Sequence, residues 1–197
     1  MTLSSPRQLM DLPGQAINFF NTVADDTVEI YNEFSLQHEL GIWLRSVLPV
    51  QYKVQFERNI RYFGIEDSSF IKKEIDIVIF NPAKTEKHAI ELKFPRNGQH
   101  PEQMYSSCKD IRFLEQLCEN GFTSCLFIMV ADDPLFYQGD ASKKIYSFFR
   151  ASKPIHGQIC KPTGSNQEQI DITGEHVIRW RHIKGQCKYA VIEIGNS

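Results

Sequence analysis

The chain has 197 residues, a length suited to one domain. Hydrophobic residues make up 42% and charged residues 23%, ordinary globular usage that supplies a core and argues against disorder. The formal net charge of −2 excludes a strongly basic domain, so any nucleic-acid surface must be a local positive groove around an acidic centre. Five cysteines, an odd number without a C-x-x-C pair, argue against a disulfide framework and a zinc knuckle; buried thiols in a reducing cytosol are expected. The N-terminal MTLSSPRQLMDLPG has no apolar signal core. No segment approaches the ~18 apolar residues that span a membrane, so a soluble, cytoplasmic protein without a membrane partner is expected.

In chain order, residues 1–15 read as a loose arm, with Pro6, Pro13 and Gly14 as breakers, and residues 16–32 as a short helix. A helix from Leu36 to Leu48 follows: Ser35 caps it, Leu36, Leu40, Trp43, Leu44 and Val47 form its stripe, and Pro49 stops it. In YKVQFERNIRYFG, Tyr52, Val54 and Phe56 alternate with polar residues, which predicts a strand with a bend near Asn59. KEIDIVIF (73–80) and HAIELKF (88–94) are strands joined by the turn material NPAKTEK. Pro101 opens a helix to about Glu119, with Met104, Cys108, Ile111, Leu114 and Cys118 on one face. SCLFIMVA (124–131) is a continuous apolar run, as in a central strand covered on both faces. Residues 141–150 read as a helix and 152–197 as a β-rich C-terminal part, with a hairpin turn at Lys184-Gly185-Gln186. This order predicts a single α/β domain: a mixed central sheet flanked by helices, with a β-rich extension.

One constellation carries chemistry. Side chains two apart on a strand share a face. Ile75, Ile77 and Ile79 therefore point one way and Asp76, Val78 and Phe80 the other; on the next strand Ile90, Leu92 and Phe94 oppose Ala89, Glu91 and Lys93. If both aliphatic sets face one core, Asp76, Glu91 and Lys93 share the opposite face. Asp76 and Glu91 are hard oxygen donors suited to a divalent cation, and Lys93 can hold the attacking water or stabilise developing charge. An antiparallel hairpin with one wet face gives the same alternation. Val78, Phe80 and Ala89 share the carboxylates' parity, however, and a partly covered carboxylate needs a partner such as a metal.

Asp76, fourteen intervening residues and then Glu91-Leu92-Lys93 resembles the signature of the PD-(D/E)XK, restriction-endonuclease-like superfamily, with Ile75 in place of the proline. The resemblance covers residues 34–131. It implies a restriction-endonuclease-like sheet and a Mg²⁺- or Mn²⁺-dependent nuclease acting on nucleic acid, with DNA as the expected substrate, in defence, repair or a mobile element. It also implies that the Leu92 carbonyl joins the metal shell and that a helix ahead of the hairpin brings an acidic residue, for which Glu39 is placed. Arg96, Gln103, Lys73 and Lys109 are candidate nucleic-acid contacts, with Arg58, Arg61, Lys72 and Arg112 as further phosphate partners. A homodimer would suit cutting both strands. The acidic balance and incomplete accessory pattern leave a second class open: a nucleic-acid-binding or assembly module that keeps the fold without catalysis.

Overall fold

The computed structural model describes residues 10–66, 68–96, 98–142, 144–164 and 168–195. Helix α1 (Leu12–Ala24) begins inside the segment expected to be an arm. Pro13 sits in its first turn, where a missing N–H costs nothing, and Asp11 accepts the Gly14 N–H at 2.8 Å. Pro13 therefore starts the helix rather than breaking the chain; residues 1–9 of the expected arm lie outside the described residues. Helix α2 (Glu33–Val47) starts three residues ahead of expectation. Asn32, not Ser35, is the cap: its side chain accepts from Ser35 N, while Ser35 Oγ accepts from Asn32 N at 3.0 Å, a reciprocal capping box.

Strand β1 (Lys53–Asn59) ends in a 3-10 turn, Ile60–Phe63, at the expected bend. Strands β2 (Glu74–Phe80) and β3 (Lys87–Lys93) form the expected hairpin, and α3 (His100–Glu119) leads to β4 (Ser124–Ala131). Helix α4 (Lys144–Arg150), β5 (Ile155–Cys160), β6 (Gln169–His176), β7 (Arg181–Lys184) and β8 (Cys187–Gly195) complete the chain. Gly185, at φ 54°, makes the predicted turn between β7 and β8.

The main sheet runs β1-β2-β3-β4-β8-β7; only β3 and β4 pair in parallel, joined by the α3 crossover. The C-terminal part is thus no appendage. Strand β8 pairs with all eight residues of β4 and makes that strand central, while β5 and β6 form a separate ribbon.

Each face of the sheet has its own core. Ile77, Ile79, Ile90, Leu92 and Phe94 pack beneath α1 and α2 with Leu36, Leu40 and Leu44. Val78, Phe80, Ala89, Phe127 and Met129 face α3 with Cys108, Ile111 and Leu114. Burying each large apolar side chain contributes about 1.5–3 kcal/mol, so the two layers together fix the sheet's position. The ribbon covers the outer side of α3: Glu115 accepts from Thr173 N (3.1 Å), Gly174 N (2.7 Å), Arg112 Nη1 (3.1 Å) and lies 2.9 Å from His176 Nε2. Among the described residues, no helix is long and apolar enough to cross a membrane.

Candidate functional site

Strict alternation fails at one residue of β2. Ile75 joins the α3-side core although Ile77 and Ile79 join the other, so the strand twists through Asp76. The β2–β3 ladder stops at Ile77↔Ile90, and beyond it side chains replace backbone partners. Asp76 N donates to Glu91 Oε1 (3.2 Å), Leu92 N donates to Asp76 Oδ2 (2.8 Å), and the Asp76 carbonyl accepts from Gln37 Nε2 of α2 (2.9 Å). The two strands splay, and the gap fills with carboxylates instead of a further rung.

Asp76 and Glu91 meet there on Lys72, and Lys93 adjoins them through Asp110. Their face is more covered than a hairpin with a wet side allows: Glu91 is fully buried, and α3 lies over it. Two residues reach the group from other elements. Asp110, buried on α3, places Oδ2 3.0 Å from Lys93 Nζ, an ion pair without hydrogen-bond geometry. Lys72, from the loop ahead of β2, places its ammonium 3.1 Å from Asp76 Oδ1, in direct contact with Glu91 Oε2 and 3.7 Å from Asp110 Oδ1. In an extended strand, residues four apart are roughly 13 Å apart, so a bend is required to bring Lys72 back to Asp76. Gln116 of α3 stabilises it, accepting from Ile71 N (3.1 Å) and donating to the Ser69 carbonyl (3.2 Å).

The electrostatics follow from burial and these pairs. Burial pushes the Glu91 carboxyl well above the usual range, Asp76 and Asp110 push it further, and Lys72 opposes them. Burial also raises Asp110, against the pull of Lys93 and Lys72. For Lys93, burial favours the neutral amine, but Asp110 and Glu33 outweigh it and hold the group charged above its ordinary range. Lys72 behaves likewise, with Glu91, Asp110 and Asp76 overcoming the cost of burial.

Glu39 does not reach the group. It pairs with His38 at 3.1 Å, and the carboxylate of α2 that adjoins the site is Glu33, which accepts from Phe94 N at 2.9 Å. Burial raises Glu33, with Lys93 opposing. Six positions separate Glu33 from Glu39, about 240° around a helix, so the two point to different sides. With Phe34, Gln37, Glu57, Asp76 and Leu92, Glu33 lines a cavity of 50 Å³. Placing the helix start at Ser35 hid this residue; the Asn32–Ser35 spacing was the signal for it. For Asp110 the signal was its place in Ser107, Asp110 and Leu114, an i, i+3, i+7 line within the helix.

The remaining candidates scatter. Arg96 pairs with Asp132, exposed Lys73 gives its carbonyl to Ile60 N, and Gln103 lies half-buried in the first turn of α3. Lys109 lies 3.0 Å from Glu168 and, with Lys72, Lys93, Lys161 and Tyr105, lines a cleft of 350 Å³ beside the site. Arg112 is committed to Glu115 and Glu119, and Arg58 stacks over Tyr62 at 4.2 Å. Trp180, between Arg179 and Arg181, donates to the Phe149 carbonyl and packs against the core. Among the described residues, no three His, Cys, Asp or Glu side chains stand as a ready metal cage. The point shared by Asp76, Glu91 and Asp110 is taken by the Lys72 ammonium, and of the three carboxylates Asp76 and Glu91 lie nearest to it. Comparison with protein-family models, with curated proteins and with solved structures gave no match.

Proposed function

We propose that the chain is a Mg²⁺- or Mn²⁺-dependent nuclease of the PD-(D/E)XK type, hydrolysing phosphodiester bonds in DNA. The observation that carries this reading is the convergence of Asp76 and Glu91 on one cation position beside a half-buried Lys93 whose ammonium is stabilised. The order α2, β1, β2, β3, α3, β4, with the carboxylates on β2 and β3, supports the restriction-endonuclease-like assignment. A cleft lined by four lysines and the carboxylates Glu102, Asp110 and Glu168 opens beside the group, and Phe34, 79% exposed at the lip of the Asp76 cavity, offers a face on which a base can stack.

A divalent ion held by Asp76, Glu91 and the Leu92 carbonyl would supply Lewis-acid stabilisation and an activated water. Lys93, kept as an ammonium by Asp110, donates rather than accepts a proton; it orients the water or neutralises the phosphate oxygens as charge grows. Asp110 aims that ammonium. Glu33 adds a further negative charge that favours the Lys93 ammonium. The expected outcome is Mg²⁺- or Mn²⁺-dependent cleavage of DNA by the purified protein, reduced at least about 100-fold by Asp76→Asn and by Lys93→Met. Absence of turnover on duplex, single-stranded and branched substrates overturns the reading, as does an unchanged rate in either variant.

A second reading has one observation in its favour. Lys72 already gives the carboxylates a shared cationic partner, so the group is held together without a metal, as in a binding module that retains the fold without catalysis. Nucleic-acid binding indifferent to divalent ions, with no turnover in their presence, selects it.

A further inference from the structure

We propose that Lys72 is a built-in counter-ion: it holds the divalent position until a nucleic-acid phosphate enters the adjoining cleft and draws its ammonium away. Metal and nucleic acid then bind with positive coupling. This rests on the nuclease reading and adds to it the order in which the site fills.

The geometry forces competition. The Lys72 ammonium contacts Asp76 and Glu91 together, at the place a cation bridging those two carboxylates must occupy. A divalent ion and an ammonium cannot share that place, since like charges a few ångströms apart under cover repel strongly. Departure of Lys72 also has a cost, because fully buried Glu91 must then take another cation or a proton. Departure of one cation and arrival of another are therefore linked.

The cleft supplies somewhere for the ammonium to go. Lys72 lines it together with Lys93, Lys109 and Lys161, the last two paired with Glu168, and with Glu102 and Asp110; the Lys72 side chain is 31% exposed. Its backbone is fixed on both sides, by Gln116 bound at Ile71 and by Ile60 N bound to the Lys73 carbonyl. Only the four-carbon stem is free to swing, which needs rotamer changes and no loop opening. A phosphate seated among these lysines offers the ammonium a second anionic partner and favours the exchange. By linkage, whatever nucleic acid gains from metal, metal gains from nucleic acid.

The test is Mn²⁺ binding, followed through loss of the free-ion paramagnetic resonance signal, with and without a short phosphorothioate DNA duplex whose own Mn²⁺ uptake is subtracted. The wild-type chain is expected to bind Mn²⁺ at least about 10-fold more tightly with the duplex than without it. Lys72→Met is expected to bind tightly in both conditions, and Lys72→Arg, which keeps a cation in place, to follow the wild type. Mn²⁺ affinity of the wild type that ignores the duplex overturns the proposal, and this arm needs no variant to fold. Equal affinity of folded Lys72→Met and wild type without DNA overturns it as well. A chain that cleaves DNA but fails these tests loses only the counter-ion role of Lys72. One that passes them but cleaves nothing loses the nuclease reading.

Discussion

Glu115 sits outside the candidate site and shows how much one residue can hold. Burial alone would raise its carboxyl. The His176 contact outweighs that cost together with the Gly174 and Thr173 amides and Arg112, bringing the group down to about 2 from 4.5. A carboxyl depressed on folding stabilises the fold above its unfolded value and loses that contribution as pH falls through its folded value. The window is therefore pH 4.5 down to about 2. Glu115→Gln is expected to cost about 3 kcal/mol at neutral pH and to flatten the loss of stability across that acid range, read by urea unfolding at stepped pH. At the same scale, the alternation of β2 and β3 made Asp76, Glu91 and Lys93 legible, because a strand's period states which side chains share a face. Lys72, Asp110 and Glu33 arrive from a loop and two helices. Their meeting is a tertiary event, and a local period carries no information about it.

At the scale of elements, α2 shows how a cap reaches into the site. The Asn32–Ser35 capping box fixes the first turn, and that turn carries Glu33 to Phe94 N and, one turn on, Gln37 to the Asp76 carbonyl. Asn32→Ala is expected to lower stability by about 1 kcal/mol, measured as a shifted denaturation midpoint with unchanged slope. The stripe of α2, the β2–β3 hairpin and the apolar run of β4 were all readable, each having a strong period or an uninterrupted core signal. The start of α1 was not, because Pro13 and Gly14 look like breakers unless the cap at Asp11 is seen. Strand β6 also escaped: its residues alternate against α3 across a short ribbon, and Gly174 within it reads as loop.

For the whole molecule, the sequence pointed to residues 34–131 as the working core, yet that segment is incomplete. Removing β8 would leave one edge of β4 unpaired along eight residues and would strip the Ile192 and Ile194 contacts from the α3-side core. A fragment ending at Ala131 is expected to lack a cooperative thermal transition, while the full chain shows one; a sharp transition in the fragment would refute this. Pairing between strands far apart in sequence is what the chain order alone could not disclose, since β8 returns to β4 only after α4 and the β5–β6 ribbon.

The rung that Asp76 replaces has a consequence for how descent would mark this protein. Its carboxylate closes the sheet at Leu92 N as well as facing the cation position, so losing it leaves that amide without its acceptor whether or not any bond is being cut. A lineage that abandoned catalysis would still be held to an acceptor at this position, and Asn would satisfy it. Persistence of an acceptor there, Asp or Asn, would therefore be silent about activity. The side chains of Lys93 and Asp110, which replace no rung of the sheet, would drift first, and their joint retention would be the signature of a lineage still using the site.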